Sequence, residues 1–364
     1  MAMHPYRDLP AHRFWRRAVA DVPPAEVDPV VQGAFRIDRS RRVATAGSCF
    51  AQHIARHLSG AGFDYMVTER AHSLVAELAQ DFQYGVYSAR YGNIYTARQL
   101  VQTLRRAYGQ FVPADDVWLA ADGRVIDPYR PRIQPNGFAS AAELAADRVQ
   151  HFAATRRMIE QMDVLVFTLG LTEAWFNRQD GAVYPLCPGV AGGSYAPERH
   201  GFVNFRVTEV MADLAEAIDF IAPRNPAARI LLTVSPVPLV ATMEDRSVLT
   251  ATTYSKSVLR VAAEEMAARY AQVAYFPSYE VITGPHARGR YYDESLRQVT
   301  EEGVAHVMRL FMRHYAAEAP AQPMPAVDPQ AEAIAAREVQ HAELSRVVAV
   351  LCDEVALDKA DPRP

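Results

Sequence analysis

A glycine and a serine follow the first short apolar run of the sequence, and a helical pattern begins directly after them. Residues 42–46 read as a strand, Gly47 ends it, and Ser48 precedes a helix in which Phe50 and Ile54 recur at helical spacing. A serine there is placed for nucleophilic chemistry, because the helix dipole and unpaired N–H groups favour negative charge. Serine is also a good helix N-cap, and these residues alone favour that interpretation.

Other chemistry-bearing groups favour structural interpretations. Cys49 is a rival nucleophile, since a helix N-terminus lowers the pKa of a thiol, but a small buried hydrophobe is the favoured interpretation. His53 and His57 have metal-ligand spacing, yet no third ligand accompanies them, so we predict no metal and no cofactor. Residues 189–193 are glycine-rich without the Lys-Ser/Thr of a P-loop, which indicates a loop near the cleft.

Helices alternate with short apolar strands along most of the chain. Helical patterns cover residues 148–162, 210–221, 257–270 and 303–315, and strand-like runs cover residues 163–168, 229–234 and 273–276. This alternation predicts an α/β fold, a doubly wound three-layer parallel sheet with helices on both faces. Ligands of such folds sit at the carboxyl ends of the strands. Ser48, Thr172 and Ser235 all follow strand ends, so we expect them to share one cleft.

Composition excludes several classes of protein. The 364 residues carry a net charge of -4 and no basic block, which disfavours a nucleic-acid partner. Three cysteines give neither a disulfide framework nor a zinc pattern. We expect no membrane span and no signal peptide, and hence a cytoplasmic protein.

Three regions follow from the patterns. Residues 1–37 form an irregular N-terminal arm with a short helical piece around Trp15, and residues 38–316 form the α/β domain. Residues 317–364 form a Pro-rich linker and a C-terminal helix with a ragged apolar stripe. That helix either docks on its own domain, the favoured interpretation, or binds a partner, for example in a homodimer.

The sequence resembles the bacterial GSCFA family, whose name is spelled by residues 47–51, Gly-Ser-Cys-Phe-Ala. Residues 45–52, 168–175, 233–239 and 297–311 all look like members of that family. The family in turn is similar to the SGNH/GDSL hydrolases. The resemblance implies serine-dependent ester hydrolysis or acyl transfer, often on carbohydrate esters, with a small-molecule or glycan ester as substrate.

The SGNH resemblance also implies roles for single residues. Ser48 falls on the nucleophile, and Gly92 on the glycine that donates its N–H to the oxyanion, although a plain turn glycine is an equal alternative. Thr172 stands where an asparagine would donate to the oxyanion, and its hydroxyl can donate one hydrogen bond. Glu173 stands at the following acidic position, with a helix first-turn carboxylate as the alternative.

The fourth block departs from the SGNH pattern. Gln298 stands at the position of the general-base histidine and Ser295 at that of its aspartate partner. Glutamine cannot accept a proton at neutral pH, so most of the triad-derived rate should be lost. Asp293, His200 and His286 are alternatives, the two histidines on expected surface loops.

Two principal functions follow. The first is an SGNH-like serine esterase or acyltransferase with an incomplete triad, and the second is a catalytically degenerate ligand-binding protein that uses the same cleft. If the triad is degraded, we expect the Gln298 amide to hydrogen-bond Ser48 Oγ without removing its proton.

Overall fold

A four-stranded parallel sheet lies at the centre of the computed structural model, which describes residues 4–317 and Asp353. Within these residues the strands, in chain order, are β1 (Val43–Gly47), β2 (Trp118–Leu119), β3 (Val125–Ile126), β4 (Val164–Leu169), β5 (Glu173–Asn177), β6 (Val183–Tyr184), β7 (His200–Asn204), β8 (Arg229–Val234) and β9 (Val273–Tyr275). The α-helices are α1 (Phe50–Gly60), α2 (Ala97–Ala107), α3 (Ala141–Gln161), α4 (Val207–Ile221), α5 (Val248–Arg269), α6 (Ser278–Thr283) and α7 (Glu301–Tyr315).

The central sheet has the strand order β1-β4-β8-β9, with every neighbouring pair parallel. Every residue of β1 and β4 is buried, as expected of strands covered on both faces. Their apolar runs are therefore continuous instead of alternating. This confirms the predicted parallel α/β sheet.

Helices cover the sheet on both faces and form two separate cores. One core joins β1, β4 and β8 to helices α2, α3, α4 and α5, through residues such as Leu104, Met158, Leu214 and Met266. The other joins the opposite face to α1 and α7, through residues such as Phe50, Ile54, Val307 and Phe311. The molecule therefore has the three layers that the sequence predicts.

The direction of winding reverses at β1. After α1 the chain forms a single parallel bridge between Tyr65 and Val43, on the edge of β1 that β4 does not occupy. The Val43 N–H donates to Asp64 O at 2.9 Å, and the Met66 N–H donates to Val43 O at 2.9 Å. Later strands are added on the other side, so the point of reversal lies between β1 and β4, where ligands of doubly wound sheets bind.

The structure differs from the expected helix boundaries in two places. Helices α3 and α5 begin seven and nine residues before the predicted starts at residues 148 and 257. Helix α2 was not predicted, although Thr96 caps it by accepting a hydrogen bond from the Gln99 N–H. Helix α3 has a similar cap, because Ser140 Oγ accepts from the Glu143 N–H.

A small antiparallel lobe follows β4 and was not predicted. Strand β5 pairs with β6 on one side and with β7 on the other, and β2 and β3 form a separate hairpin. Glu173 opens β5, so the alternative that it is a helix first-turn carboxylate is wrong. His200 opens β7 instead of lying in a loop.

The N-terminal arm packs against α7. Ile37 forms a bridge with Ala316, and Val27 O accepts a hydrogen bond from His306 Nε2 at 2.9 Å. Short helical turns flank Trp15, as predicted. The predicted C-terminal helix lies outside the described residues. Within them, no helix is both long enough and apolar enough to cross a membrane.

Candidate active site at the carboxyl end of the sheet

A glycine lets β1 approach β4 closely just before Ser48. Gly47 has a φ of +131°, and a Cβ there would lie 2.2 Å from Thr168 O. Only glycine tolerates both the conformation and the contact. The Ser48 N–H then donates to Thr168 O at 3.1 Å, which fixes the serine backbone at the end of β1.

The Ser48 side chain is enclosed and has no polar partner. The residue is 3% exposed, and no hydrogen bond reaches its Oγ within the described part of the chain. The N-cap interpretation is therefore wrong, because helix α1 begins after Cys49 and has no side-chain cap. A buried hydroxyl without a partner is rare in folded proteins, and it calls for a ligand, a water or a chemical role.

Two loops meet beside Ser48. The Ile94 N–H donates to Gly47 O at 2.8 Å, and the N–H groups of Gly170 and Leu171 both donate to Tyr95 O at 3.1 Å. A Cβ at Gly170 would lie 3.1 Å from Ser48 Cβ. The segments that follow β1 and β4 and the segment that precedes α2 are thus packed together around the serine.

The two expected oxyanion donors lie on these loops. Gly92 has a φ of +72° and lines a small cavity that also contains Asn93 and Asp353. Thr172 is fully buried, and its hydroxyl donates to Asn204 Oδ1 at 2.6 Å. Because a hydroxyl has one proton, Thr172 could donate to an oxyanion only after releasing Asn204.

Glu173 faces a different partner from the one that a triad would require. Its carboxylate accepts hydrogen bonds from Thr242 Oγ1 at 2.6 Å and from the Met243 N–H at 3.3 Å. Burial raises the pKa of Glu173, against the lowering effect of these two bonds. The residue lines a largely apolar cavity of about 210 Å³. The other lining residues include Tyr95, Leu171, Trp175, Phe202 and Met243.

Gln298 lies on the loop before α7, as expected, but its side chain is exposed. The bond that we expected from its amide to Ser48 Oγ is not formed, since Ser48 Oγ has no partner among the described residues. The Ser295 hydroxyl donates to Asp293 Oδ1 at 2.5 Å, and Arg297 Nε donates to Pro238 O at 3.2 Å. The loop is therefore held against the segment that follows β8.

The histidines have structural surroundings. His200 is buried, its Nδ1 accepts from the Ala196 N–H at 3.1 Å, and its Nε2 lies 3.7 Å from Asp115 Oδ2. Burial lowers the pKa of His286 and, to about 3, that of His53. No cluster of three or more potential metal ligands occurs in the described residues.

Sequence reasoning missed two polar residues at the site. Lys256 on α5 is 2% exposed and donates from Nζ to Gly170 O at 2.6 Å. Gln52, one turn into α1, donates from Nε2 to Asn93 Oδ1 at 3.1 Å. One signal existed: the sequence contains only two lysines, Lys256 and Lys359.

The model of the GSCFA family matches residues 42–311, which is most of the chain and contains all the site residues described above except Asp353. No curated protein matches the sequence.

Proposed function

This chain belongs to the GSCFA family, and we propose that it is a serine-dependent ester hydrolase or acyltransferase whose nucleophile is Ser48. One observation carries the proposal: a buried serine hydroxyl, with no hydrogen-bond partner in the part of the chain that the structure describes, lies at the reversal point of a doubly wound sheet. The resemblance to SGNH hydrolases adds carbohydrate esters as the substrate class.

The reaction would proceed through an acyl-enzyme. Ser48 Oγ attacks the ester carbonyl and gives up its proton, the resulting oxyanion collapses, and the alcohol leaves with that proton. Water or an acceptor hydroxyl then attacks the acyl group, the bond to Ser48 Oγ breaks, and the proton of the attacking hydroxyl returns to Ser48. Candidate oxyanion donors are the Gly92 N–H and the Thr172 hydroxyl, the latter after it turns away from Asn204.

The described residues provide no general base that would activate Ser48. No described residue accepts a hydrogen bond from Ser48 Oγ, and Gln298 replaces the general base of the SGNH pattern. Loss of general-base catalysis typically costs roughly 10²–10⁴-fold in rate. The Lys256 ammonium, 2.6 Å from Gly170 O, would add positive charge near the developing anion. We therefore expect slow turnover.

A fluorophosphonate probe tests the nucleophile directly. Wild type should become labelled, and Ser48→Ala should not. Ser235→Ala is the matched control, because Ser235 is also a buried serine at the end of a strand of the same sheet, and it should label like wild type. Absence of labelling in the folded wild type, together with no turnover of p-nitrophenyl acetate, would contradict the proposal.

The missing base favours a second function, a binding protein that retains the cleft without catalysis. In that case a short acyl ester should raise the melting temperature of wild type and Ser48→Ala equally, because binding to the folded state alone stabilises it. Hydrolysis of the same ester by wild type would exclude this alternative.

A further inference from the structure

An aspartate from the far C-terminal segment, Asp353, is buried against the loop that precedes α2. Asp353 is 6% exposed, and its Oδ2 accepts hydrogen bonds from Asn93 Nδ2 at 2.8 Å and from the Tyr95 hydroxyl at 3.5 Å. Its own N–H donates to the Tyr95 oxygen at 3.1 Å. Both carboxylate partners belong to the loop that precedes α2.

A cation completes the surroundings of this carboxylate. Arg132 Nε lies 3.8 Å from Asp353 Oδ1. The neighbouring Arg130 is already committed, since it pairs with Asp127 at 2.9 Å and with Asp147 at 2.6 Å. One amide donor, one hydroxyl donor and one guanidinium therefore converge on a single carboxylate, which is a typical pattern of anion recognition.

The loop that precedes α2, which carries Asn93 and Tyr95, contacts both segments that flank Ser48. Gln52, on the helix that Ser48 precedes, donates to Asn93 Oδ1, so the Asn93 amide is oriented with Nδ2 toward Asp353. The same loop donates from the Ile94 N–H to Gly47 O and contributes Gly92 to the cavity that holds Asp353. A group bound by Asn93 would thus lie on the loop that also contacts the end of β1, directly before Ser48.

The residues that bind the Asp353 carboxylate lie inside the family match, whereas Asp353 lies outside it. Asn93, Tyr95 and Arg132 lie inside the region matched by the family model, whereas Asp353 lies 42 residues beyond its last matched residue, 311. The receptor is thus within the shared domain, and its occupant comes from outside that domain. Burial raises the pKa of Asp353 against the lowering effects of Asn93, Arg132 and Tyr95, so burial disfavours the ionised form of the docked carboxyl group.

We propose that Asn93, Tyr95 and Arg132 form a carboxylate subsite of the Ser48 cleft, and that Asp353 occupies it as an intramolecular competitor of an acidic ligand. This rests on the proposed function only in that the ligand would be presented to Ser48. The ligand class is a molecule with a free carboxylate near the group to be transferred, such as an acidic sugar.

Calorimetric titration of the full chain with glucuronate tests the subsite without requiring catalysis. Asp353→Ala should bind glucuronate roughly tenfold more tightly than wild type, as expected if the docked form is about 90% populated. Adding Arg132→Gln to Asp353→Ala should remove that gain. Glucose, which lacks the carboxylate, should show no difference among these variants. Asp361→Ala removes the same charge from the same C-terminal segment and should behave as wild type.

Fluorophosphonate labelling of Ser48 in the same variants gives the second measurement. Glucuronate should slow labelling of Asp353→Ala at a roughly tenfold lower concentration than it slows labelling of wild type, by the same competition. If no variant is labelled while the glucuronate results hold, the nucleophile proposal fails and the carboxylate subsite stands. Equal glucuronate binding by wild type and Asp353→Ala, or binding by neither, would overturn the proposal.

Discussion

Small residues determine the position of Ser48. Gly47 and Gly170 remove the side chains that would otherwise separate β1, β4 and the loop before α2, and Ser48 is enclosed where the three meet. The helix dipole of α1 then points toward a hydroxyl that has no hydrogen-bond partner among the described residues. The close packing of these backbone segments therefore depends on glycine at positions 47 and 170.

Replacing Gly47 with alanine should strongly destabilise the protein. The left-handed φ and a contact of 2.2 Å with Thr168 O both oppose a Cβ, so we expect a loss of about 3 kcal/mol or more in the free energy of unfolding. Gly60→Ala is the control, because no atom lies within 4 Å of its Cβ position, and it should change stability by no more than about 1 kcal/mol. Urea unfolding measures both, and equal effects would contradict the argument.

Residue types alone favoured an N-cap role for Ser48, and only the family resemblance made it the candidate nucleophile; neither could place the residues around it. A serine after a strand and a glycine is visible in the sequence, as is its place at the carboxyl edge of a sheet. The Thr172 hydroxyl, in contrast, is bound by Asn204, which comes from a strand that was not predicted. The exposed position of Gln298 depends on how a loop rests on Pro238 by way of Arg297. Such long-range contacts leave no local pattern.

At the scale of elements, two glutamines of α2 hold two different loops. Gln99 accepts from the Tyr95 N–H at 2.9 Å and donates to Asn93 O at 2.8 Å. One turn later, Gln102 accepts from the Val183 N–H at 2.8 Å and donates to Gly181 O at 2.8 Å. Each glutamine amide thus pairs with one backbone N–H and one backbone C=O of its segment, as a neighbouring strand would do.

These glutamines offer a matched pair of variants. Gln99→Ala and Gln102→Ala should each destabilise the protein by about 1–3 kcal/mol, because each leaves buried backbone groups unpaired. Only Gln99→Ala should also slow fluorophosphonate labelling of Ser48, since only its loop contacts the serine segment. Stability comes from urea unfolding and labelling from mass spectrometry of the intact protein. Equal slowing in both variants would mean that the loop has no specific role.

The predictability of an element follows from how much of it is buried. Strand β8 has the bounds that its apolar run predicts, and the bounds of β4 differ from the predicted ones by only one residue at each end. Both strands were predictable because nearly every one of their side chains is buried, which makes the apolar run visible in the sequence. Residues 141–146 of α3 are exposed except at Leu144, so they carry no apolar stripe, and the predicted start was late. The antiparallel lobe escaped prediction for a related reason: its short strands, β5 to β7, are partly exposed and do not alternate regularly.

At the scale of the whole molecule, the two ends of the family domain are tied together. The N-terminal arm crosses α7, and the bridge between Ile37 and Ala316 joins its end to the end of that helix. Asp353, also outside the matched residues, lies beside Asn93 on the loop before α2. Residues outside the family match therefore contact the domain in two places, at α7 and at the loop before α2.

His306 connects the arm to α7 in a way that depends on pH. Its Nε2 lies 2.9 Å from Val27 O and its Nδ1 lies 2.8 Å from the Tyr291 hydroxyl, so the neutral ring satisfies both bonds by donating to the carbonyl and accepting from the phenol. Burial and the charge of Arg309 lower the pKa of His306 to about 4. In the unfolded chain the pKa would be near 6.5.

The folded protein should therefore lose stability as the pH falls from about 6.5 toward 4, because in that window the unfolded chain binds a proton at His306 that the folded chain does not. Above about pH 6.5 the contribution is fully present. Between pH 7 and pH 5 the loss attributable to this histidine should be about 2 kcal/mol.

His306→Gln keeps an amide donor and a carbonyl acceptor without the titration, so its unfolding free energy should fall less over the same interval. Urea unfolding at the two pH values measures the difference, and the exposed His72→Gln should follow the wild type. Other buried histidines, including His53, titrate alike in all three proteins and cancel in the comparison. Identical pH dependence in wild type and His306→Gln would mean that the arm is not held by a neutral His306.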